Sequence, residues 1–341
     1  MPALPTKRLG KSGPYVSALG FGAMGLSSGY GTVEENDARF AVLDRALELG
    51  TTFWDTSDVY ADSEDLLRLW FERTGKRDQI FLATKFAVTK GKDGKPTIRS
   101  DPEYVRQACE KSLKRLGIEK IDLYYCHRVD QKTPIEHTVA ALAELKKEGK
   151  IGAIGLSEVS AATIRRAEKI HHIDAVQLEY SPFALDIESS STNILSTCRE
   201  LGIAVVAYSP LGRGFLTGQI KSPKDFEDGD FRKYAPRYSE ENFAKNLKLV
   251  EGLEAWAGRK GCSSGQLSLA WLAAQGEDVI PIPGTKKIKY LEENIGAIDV
   301  KLTDEELQQI RAEIEKVEVT GDRYPPSFQS FSFGDTPPLK L

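Results

Sequence analysis

The chain has 341 residues, 40% of them hydrophobic and 28% charged, with a formal net charge of −4 at pH 7. A chain of this length buries a large core without disulfide or metal staples, and its acidic balance excludes general attraction to nucleic acid or to an anionic membrane. The four cysteines, Cys109, Cys126, Cys198 and Cys262, are widely spaced with no C-x-x-C pair, which disfavours a zinc site and a disulfide framework and points to reduced thiols in a cytoplasmic protein.

In chain order, MPALPTKRLG has no apolar leader, and no apolar run approaches the ~18 residues of a membrane span. KRLGKSGPYVSAL reads as a hairpin turning at Lys11-Ser12-Gly13. Eight short apolar segments follow, near residues 18–22, 51–55, 79–84, 121–126, 151–156, 174–178, 202–207 and 278–282, with helix-period stretches such as PEYVRQACEKSLKRL and PIEHTVAALAELKKE between them. That alternation predicts a parallel α/β sheet, and eight repeats favour a closed (β/α)8 TIM barrel, one domain over 1–341 with the barrel at about 15–300. Thr32 with Glu35 and Thr303 with Glu306 match capping boxes, while Gly50, Gly117, Gly149 and Gly202 each follow a helical run, where a left-handed residue is cheapest as glycine. The stretch 211–239 reads as a long functional loop. The tail after Val319 has no helical period but carries Tyr324, Phe328, Phe331 and Phe333, which suggests docking. The terminal Leu339-Lys340-Leu341 departs from a peroxisomal tripeptide by its first leucine.

Asp55, Tyr60, Lys85 and His127 stand at or just beyond the C-terminal ends of three successive expected strands, the face on which a parallel barrel builds its active site. Taken singly, each has an equally good structural explanation: a helix cap, a half-buried aromatic, a solvated strand end, a core histidine. Together they supply a phenol that gives a proton, a cation that lowers its pKa, an anion that holds the cation and an imidazole that orients a carbonyl. A free phenol titrates near ~10, and a lysine roughly 4 Å away at an effective dielectric of ~20 contributes about 4 kcal/mol, roughly 3 pKa units. Lys85 is therefore expected to tune Tyr60. The match to G-x-G-x-x-G at Gly20–Gly25 reads as accidental, because Ser27-Ser28-Gly29-Tyr30-Gly31 follows where a dinucleotide fingerprint needs a helix.

The runs WDTSDVY (54–60), ATKF (83–86), DLYYCHRVD (122–130), GLSEV (155–159), SPLGRGFLTG (209–218) and IPGTKKIKYLEEN (282–294) resemble the aldo-keto reductases, most closely the fungal and bacterial branch that includes pyridoxal reductase-like enzymes. The resemblance spans about Leu9 to Ile298. It implies NADP(H)-dependent reduction of a small-molecule aldehyde or ketone, with Asp55, Tyr60, Lys85 and His127 catalytic. Gly22, Ala23, Met24 and Asp55 would lie along the cofactor, Ser157 and Gln177 at its carboxamide, and Tyr208 on the nicotinamide face. Ser209, Pro210, Leu211, Gly212, Arg213 and Gly214 would fold over the pyrophosphate, Gly284, Thr285, Lys286 and Lys287 would meet the 2′-phosphate, and Glu293 and Asn294 the adenine. Glu158 replaces the asparagine of many relatives, and Tyr290 stands where many have a phosphate-binding arginine. The substrate pocket is expected at Phe21, Trp54, Phe86 and Phe183, with the aromatic tail as a partial lid. Two rival readings stay open: a lyase or aldolase using Lys85 as a Schiff base, and a nucleotide-bound regulatory subunit resembling the potassium-channel β subunits. The sequence leaves the oligomeric state open.

Overall fold

The computed structural model describes residues 4–340 apart from 92, 93 and 95, so the first three residues of the N-terminal reading and Leu341 of the terminal tripeptide lie outside it. Strands β1 (Thr6–Arg8) and β2 (Tyr15–Ser17) pair antiparallel as the expected hairpin. Eight strands then form one parallel sheet: β3 (Phe21–Gly22), β4 (Phe53–Asp55), β5 (Phe81–Phe86), β8 (Ile121–Cys126), β9 (Ile151–Ser157), β10 (Ala175–Glu179), β11 (Ala204–Tyr208) and β12 (Val279–Pro281). A second hairpin, β6 (Val88–Lys90) with β7 (Pro96–Ile98), follows β5 and was not legible in the sequence.

The sheet curls shut where β3 meets the end of β12. Gly20 N–H donates to the Pro281 carbonyl at 2.9 Å and Gly22 N–H to the Pro283 carbonyl at 3.1 Å. A Cβ on Gly20 would stand 2.7 Å from the Ile282 side chain, and one on Gly284 would stand 2.5 Å from the Gly22 carbonyl oxygen. The G-x-G pattern thus serves the barrel seam, where two backbones approach closely. A four-residue helix, Met24–Ser27, does begin directly after it, contrary to the sequence reading, but it stops before Gly29.

Side chains alternate across each strand. One set, including Phe53, Ala83, Leu123, Tyr125, Ala153, Ala204, Val206 and Ile280, packs inside the barrel with Leu9 and Val16 of the hairpin, which closes the bottom as the sequence suggested. Lys7 reinforces that closure, donating from Nζ to the carbonyls of Ala273, Gly276 and Val279 at 2.8–3.0 Å. The alternate set, including Trp54, Leu82, Phe86, Tyr124 and Ile154, packs outward against the helices.

Gly50, Gly117, Gly149 and Gly202 all have positive φ, and Thr303 with Glu306 forms a capping box on the helix Asp304–Glu315. Thr32 does not cap a helix: the helix Asn36–Glu48 starts at Glu35 without a side-chain bond, and Thr32 instead donates from N–H and Oγ1 to Glu227 at 2.9 and 3.3 Å. A long-range carboxylate outcompetes the local one. Among the described residues no helix is long and apolar enough to cross a membrane.

Candidate active site

At the C-terminal face of the barrel lies a cleft of about 520 Å³, within the range of small-molecule and cofactor sites. Its floor is the row of strand ends. Adjacent register pairs Gly22 with Asp55, Asp55 with Ala83 and Lys85 with Tyr125, so β3, β4, β5 and β8 deliver their last residues side by side. Asp55, Tyr60, His127, Ser157 and Gln177 line it, and Lys85 lies immediately beneath, fully buried.

Lys85 donates to Asp55 Oδ1 at 2.5 Å and to the Thr56 carbonyl at 2.7 Å, while Gln177 Nε2 donates to the other Asp55 oxygen at 2.7 Å. Burial pushes the Asp55 carboxyl up and the Lys85 ammonium down, and each partner draws the other back. Lys85 Nζ stands 5.0 Å from the centre of the Tyr60 ring, and that ring meets His127 edge-on with centroids 5.8 Å apart. Four residues read from separate segments are therefore one cluster.

One electrostatic expectation reverses. The Tyr60 phenol is pushed up, first by burial and then by the charge of Asp55. The cation that pulls the phenol down is Arg128. His127 keeps an edge on the cleft, yet burial, with Arg128 and Lys85 behind it, pushes its pKa well below the usual imidazole value. It is neutral at physiological pH. Its Nδ1 lies 3.1 Å from Ser57 Oγ, so a serine donating there leaves Nε2–H as the free donor.

The loop bearing Tyr60 is held from below. Arg115 donates to the carbonyls of Asp58 and Ala61 at 2.9 and 2.7 Å and pairs with Glu64 at 3.1 Å, itself buried and bonded by Thr84 at 2.8 Å. Left-handed, non-glycine backbone gathers at this face: Ala61, Ala87, Glu158, Ser209 and Arg213 all have φ between 46° and 103°. Such conformations cost roughly 1–3 kcal/mol each and persist where surrounding contacts hold them.

Glu158 turns away from the cleft. Its φ is +51°, a region asparagine tolerates best, and its carboxylate is fully buried against Arg323 of the tail at 3.0 and 3.2 Å and the Tyr208 hydroxyl at 2.9 Å. Although burial alone would raise its pKa, Arg323 and Arg128 hold it below the usual range. The tail is fastened further along: Gly334 exchanges backbone bonds with Glu158 and Ser160, and Arg166 donates to the carbonyls of Thr336 and Pro337. Tyr324, Phe328 and Phe331 line the cleft as a result, and Tyr324 OH lies 2.9 Å from Tyr208 OH.

Of the residues implied for a cofactor, Gly22, Met24, Tyr208, Ser209, Pro210, Leu211, Arg213, Gly214, Gly284, Thr285, Lys286, Glu293 and Asn294 all line the cleft. Ala23, Gly212 and Lys287 do not: Ala23 is buried with its N–H on the Asp55 carbonyl, the Gly212 carbonyl accepts from Tyr238 OH, and Lys287 is exposed at the start of the helix Ile288–Ile295. Lys286 donates to the carbonyls of Tyr30 and Thr32 at 2.7 and 2.9 Å, tying the loop after β3 across the mouth. Tyr290, also in the lining, donates to Gln219 at 2.7 Å.

The expected pocket walls are misplaced by one position. Phe21 and Trp54 precede the inward-facing Gly22 and Asp55, and Phe86 follows Lys85, so all three point to the opposite side of their strands and lie in the outer core. Phe183 stacks on Phe215 at 4.8 Å beneath the long loop. The apolar wall is instead made by Tyr30, Val59, Val88, Pro96, Ile98 and Phe231. Sequence reasoning also missed Arg128, Ser57 and Arg323, although Arg128 directly follows His127 at a strand end and was available by position.

A family model described as Aldo/keto reductase family matches residues 18–315. The chain is 54% identical over 325 residues to aldo-keto reductase str7 of Strobilurus tenacellus, covering 94% of this chain and 95% of that protein. It is 52% identical over 340 residues to aldo-keto reductase yakc [NADP(+)] of Schizosaccharomyces pombe, covering 99% of each. Among solved structures it resembles the glycerol dehydrogenase AKR11B4 from Gluconobacter oxydans, with a TM-score of 0.82 and 27% identity over 92% of this chain and 96% of that one. A strand-end cluster of aspartate, tyrosine, lysine and histidine, on a closed eight-stranded barrel that matches one family model along most of its length, places this chain in the aldo/keto reductase family.

Proposed function

We propose that the protein reduces an aldehyde or ketone to the alcohol with NADPH, Tyr60 giving the proton. The observation that carries this reading is the convergence of Tyr60, His127 and the buried Lys85–Asp55 pair at one end of the cleft. The residues present fit a dinucleotide: Tyr208 offers an aromatic platform, the left-handed backbone at Ser209 and Arg213 curls a loop beside it, and Lys286 has a third ammonium proton beyond the two that hold carbonyls. When bound, the reduced nicotinamide supplies the hydride.

The chain's own groups do the rest. Neutral His127 donates from Nε2–H to the carbonyl oxygen and orients it, without placing a second cation beside Lys85. Tyr60 remains protonated through the physiological range, and the alkoxide forming on reduction is a stronger base than a phenolate, so transfer from Tyr60 is downhill despite its raised pKa. Asp55 and Lys85 pair beside the phenol, with Lys85 Nζ 5.0 Å from its ring centre, and position it. The Schiff-base reading fits poorly, since Lys85 is fully buried and spends its protons on Asp55 and the Thr56 carbonyl.

Tyr60→Phe is the test. Loss of the proton donor is expected to lower kcat about 10²–10⁴-fold while NADPH titration stays near that of the unmodified protein. Comparable turnover at saturating cofactor would remove Tyr60 from the mechanism.

A further inference from the structure

Arg128, Arg213 and Arg323 meet Glu158 and Glu179 around the cleft, while Arg232 in its lining is paired with Asp230, and the pairing leaves one guanidinium over. Both oxygens of Glu158 are taken by Arg323, at 3.0 and 3.2 Å. Glu179 is shared between Arg213 at 3.4 Å and Arg323 at 3.6 Å. Arg128 forms no ion pair among the described residues: its guanidinium donates to the His127 carbonyl at 2.6 Å, Ser157 Oγ at 3.2 Å and Tyr324 OH at 3.5 Å, all neutral acceptors. It nevertheless lines the cleft, at the end that holds Tyr60 and His127. A guanidinium presents five donors in a planar fork, so three neutral contacts leave it short of the bidentate anion it recognises best.

We propose that Arg128 is a recognition residue for an anionic group on the substrate, so that the preferred carbonyl compound carries a carboxylate. The inference rests on the reductase reading and narrows its substrate class. Charge and shape agree. Val59, Val88, Ile98, Phe328 and Phe331 make much of the surrounding lining apolar, which suits an aromatic or otherwise bulky body, while Arg128 supplies a positive charge without an ion-pair partner at the end that holds Tyr60 and His127. A cation with no directly bonded anion in such a wall gains when a ligand supplies one. Arg213 already pairs with Glu179, and Lys286 is anchored to the carbonyls of Tyr30 and Thr32.

Two measurements test it. Turnover with NADPH is compared for 4-carboxybenzaldehyde and 4-methylbenzaldehyde, a matched pair differing in charge, in the unmodified protein, Arg128→Gln and Arg128→Lys. The carboxylated aldehyde should have the higher kcat/KM by about tenfold or more, the preference residing in KM, with Arg128→Gln removing it and Arg128→Lys keeping part. Separately, calorimetry of the unmodified protein saturated with NADP+ should show benzoate binding about tenfold more tightly than benzamide. Benzoate binding without reduction of either aldehyde would keep the subsite and reject the reductase reading. A kcat/KM ratio near one in the unmodified protein, or a ratio that Arg128→Gln leaves unchanged while weakening NADPH binding, would overturn the proposal and assign Arg128 to the cofactor. If Arg128→Gln does not fold, the unmodified protein, Arg128→Lys and the benzoate titration still decide.

Discussion

The two walls of the cleft are built at different ranges along the chain. On one, β4, β5 and β8 hand Asp55, Lys85 and His127 to the same place through continuous backbone ladders, and the central ion pair is 0–4% exposed with a 2.5 Å bond. On the other, the loop after β11 and the C-terminal tail share no strand ladder and meet chiefly through side chains: Tyr208 reaches Tyr324 across 116 positions, and Arg213 lies over the rings of both Phe231 and Tyr324 at 4.9 and 4.8 Å. The first wall takes its precision from strand register. The second depends on a few arginines, each removable without touching the barrel, which is where a family keeps its chemistry constant and varies its substrate.

That contrast can be broken first at the rigid wall. Lys85→Met leaves Asp55 buried without its cation, and loss of one member of a buried pair costs about 3–5 kcal/mol. Denaturant unfolding should show that loss together with the disappearance of turnover. A change below about 1 kcal/mol would mean that Asp55 takes up a proton and the pair is not ionised.

Truncation after Val319 attacks the other wall. It removes Arg323 and the cleft-lining Tyr324, Phe328 and Phe331. The barrel should stay folded with a lowered Tm, because Glu158 loses its partner, and KM should rise about tenfold with a smaller change in kcat. Unchanged kinetics across several substrates would refute the tail as a lid.

A smaller effect separates two of the lysines that the sequence reading placed at the phosphate. Lys286 lines the cleft and Lys287 is exposed, so Lys286→Ala should weaken NADPH by about tenfold relative to NADH while Lys287→Ala changes the preference less than about threefold. Equal affinity of the unmodified protein for both nucleotides would dismiss the phosphate site.

A further expected effect is a pH signature beside the rigid wall. Asp58 is pushed up to about 7, from an ordinary 3.8, by burial and by neighbouring Glu64. The fold therefore holds the proton more tightly than the unfolded chain does, and Asp58 lowers stability progressively as pH rises from about 3.8 to about 7, levelling off above. Asp58→Asn should accordingly gain in Tm over the unmodified protein between pH 5 and 7 and hold that gain at pH 8. A difference that does not vary with pH would show that Asp58 carries no such penalty.

How far the sequence could be read follows the same division. Period-2 strands, helix-period intervals and the glycines at 50, 117, 149 and 202 are local signals, and they placed the barrel, its hairpin and the four strand-end residues. The pocket walls failed by parity: Phe21, Trp54 and Phe86 are each one residue from an inward position, and a strand reverses face at every step. The Thr32 cap failed because Glu227 arrives from 195 positions away. The partner of Glu158 was out of reach for the same reason, since nothing near it in the chain announces Arg323.

What the sequence by itself determined is the order and type of the barrel's own strands and helices, and with them the end that holds the candidate site, because hydrophobic period and strand-end position act between near neighbours. Only the tertiary structure decided which charges are spent on one another. It set Lys85 against Asp55, Arg323 against Glu158 and Arg213 against Glu179, and left Arg128 unmatched. Coulomb energy and desolvation depend on separation in space and on exclusion of water, and neither is written in spacing along a chain.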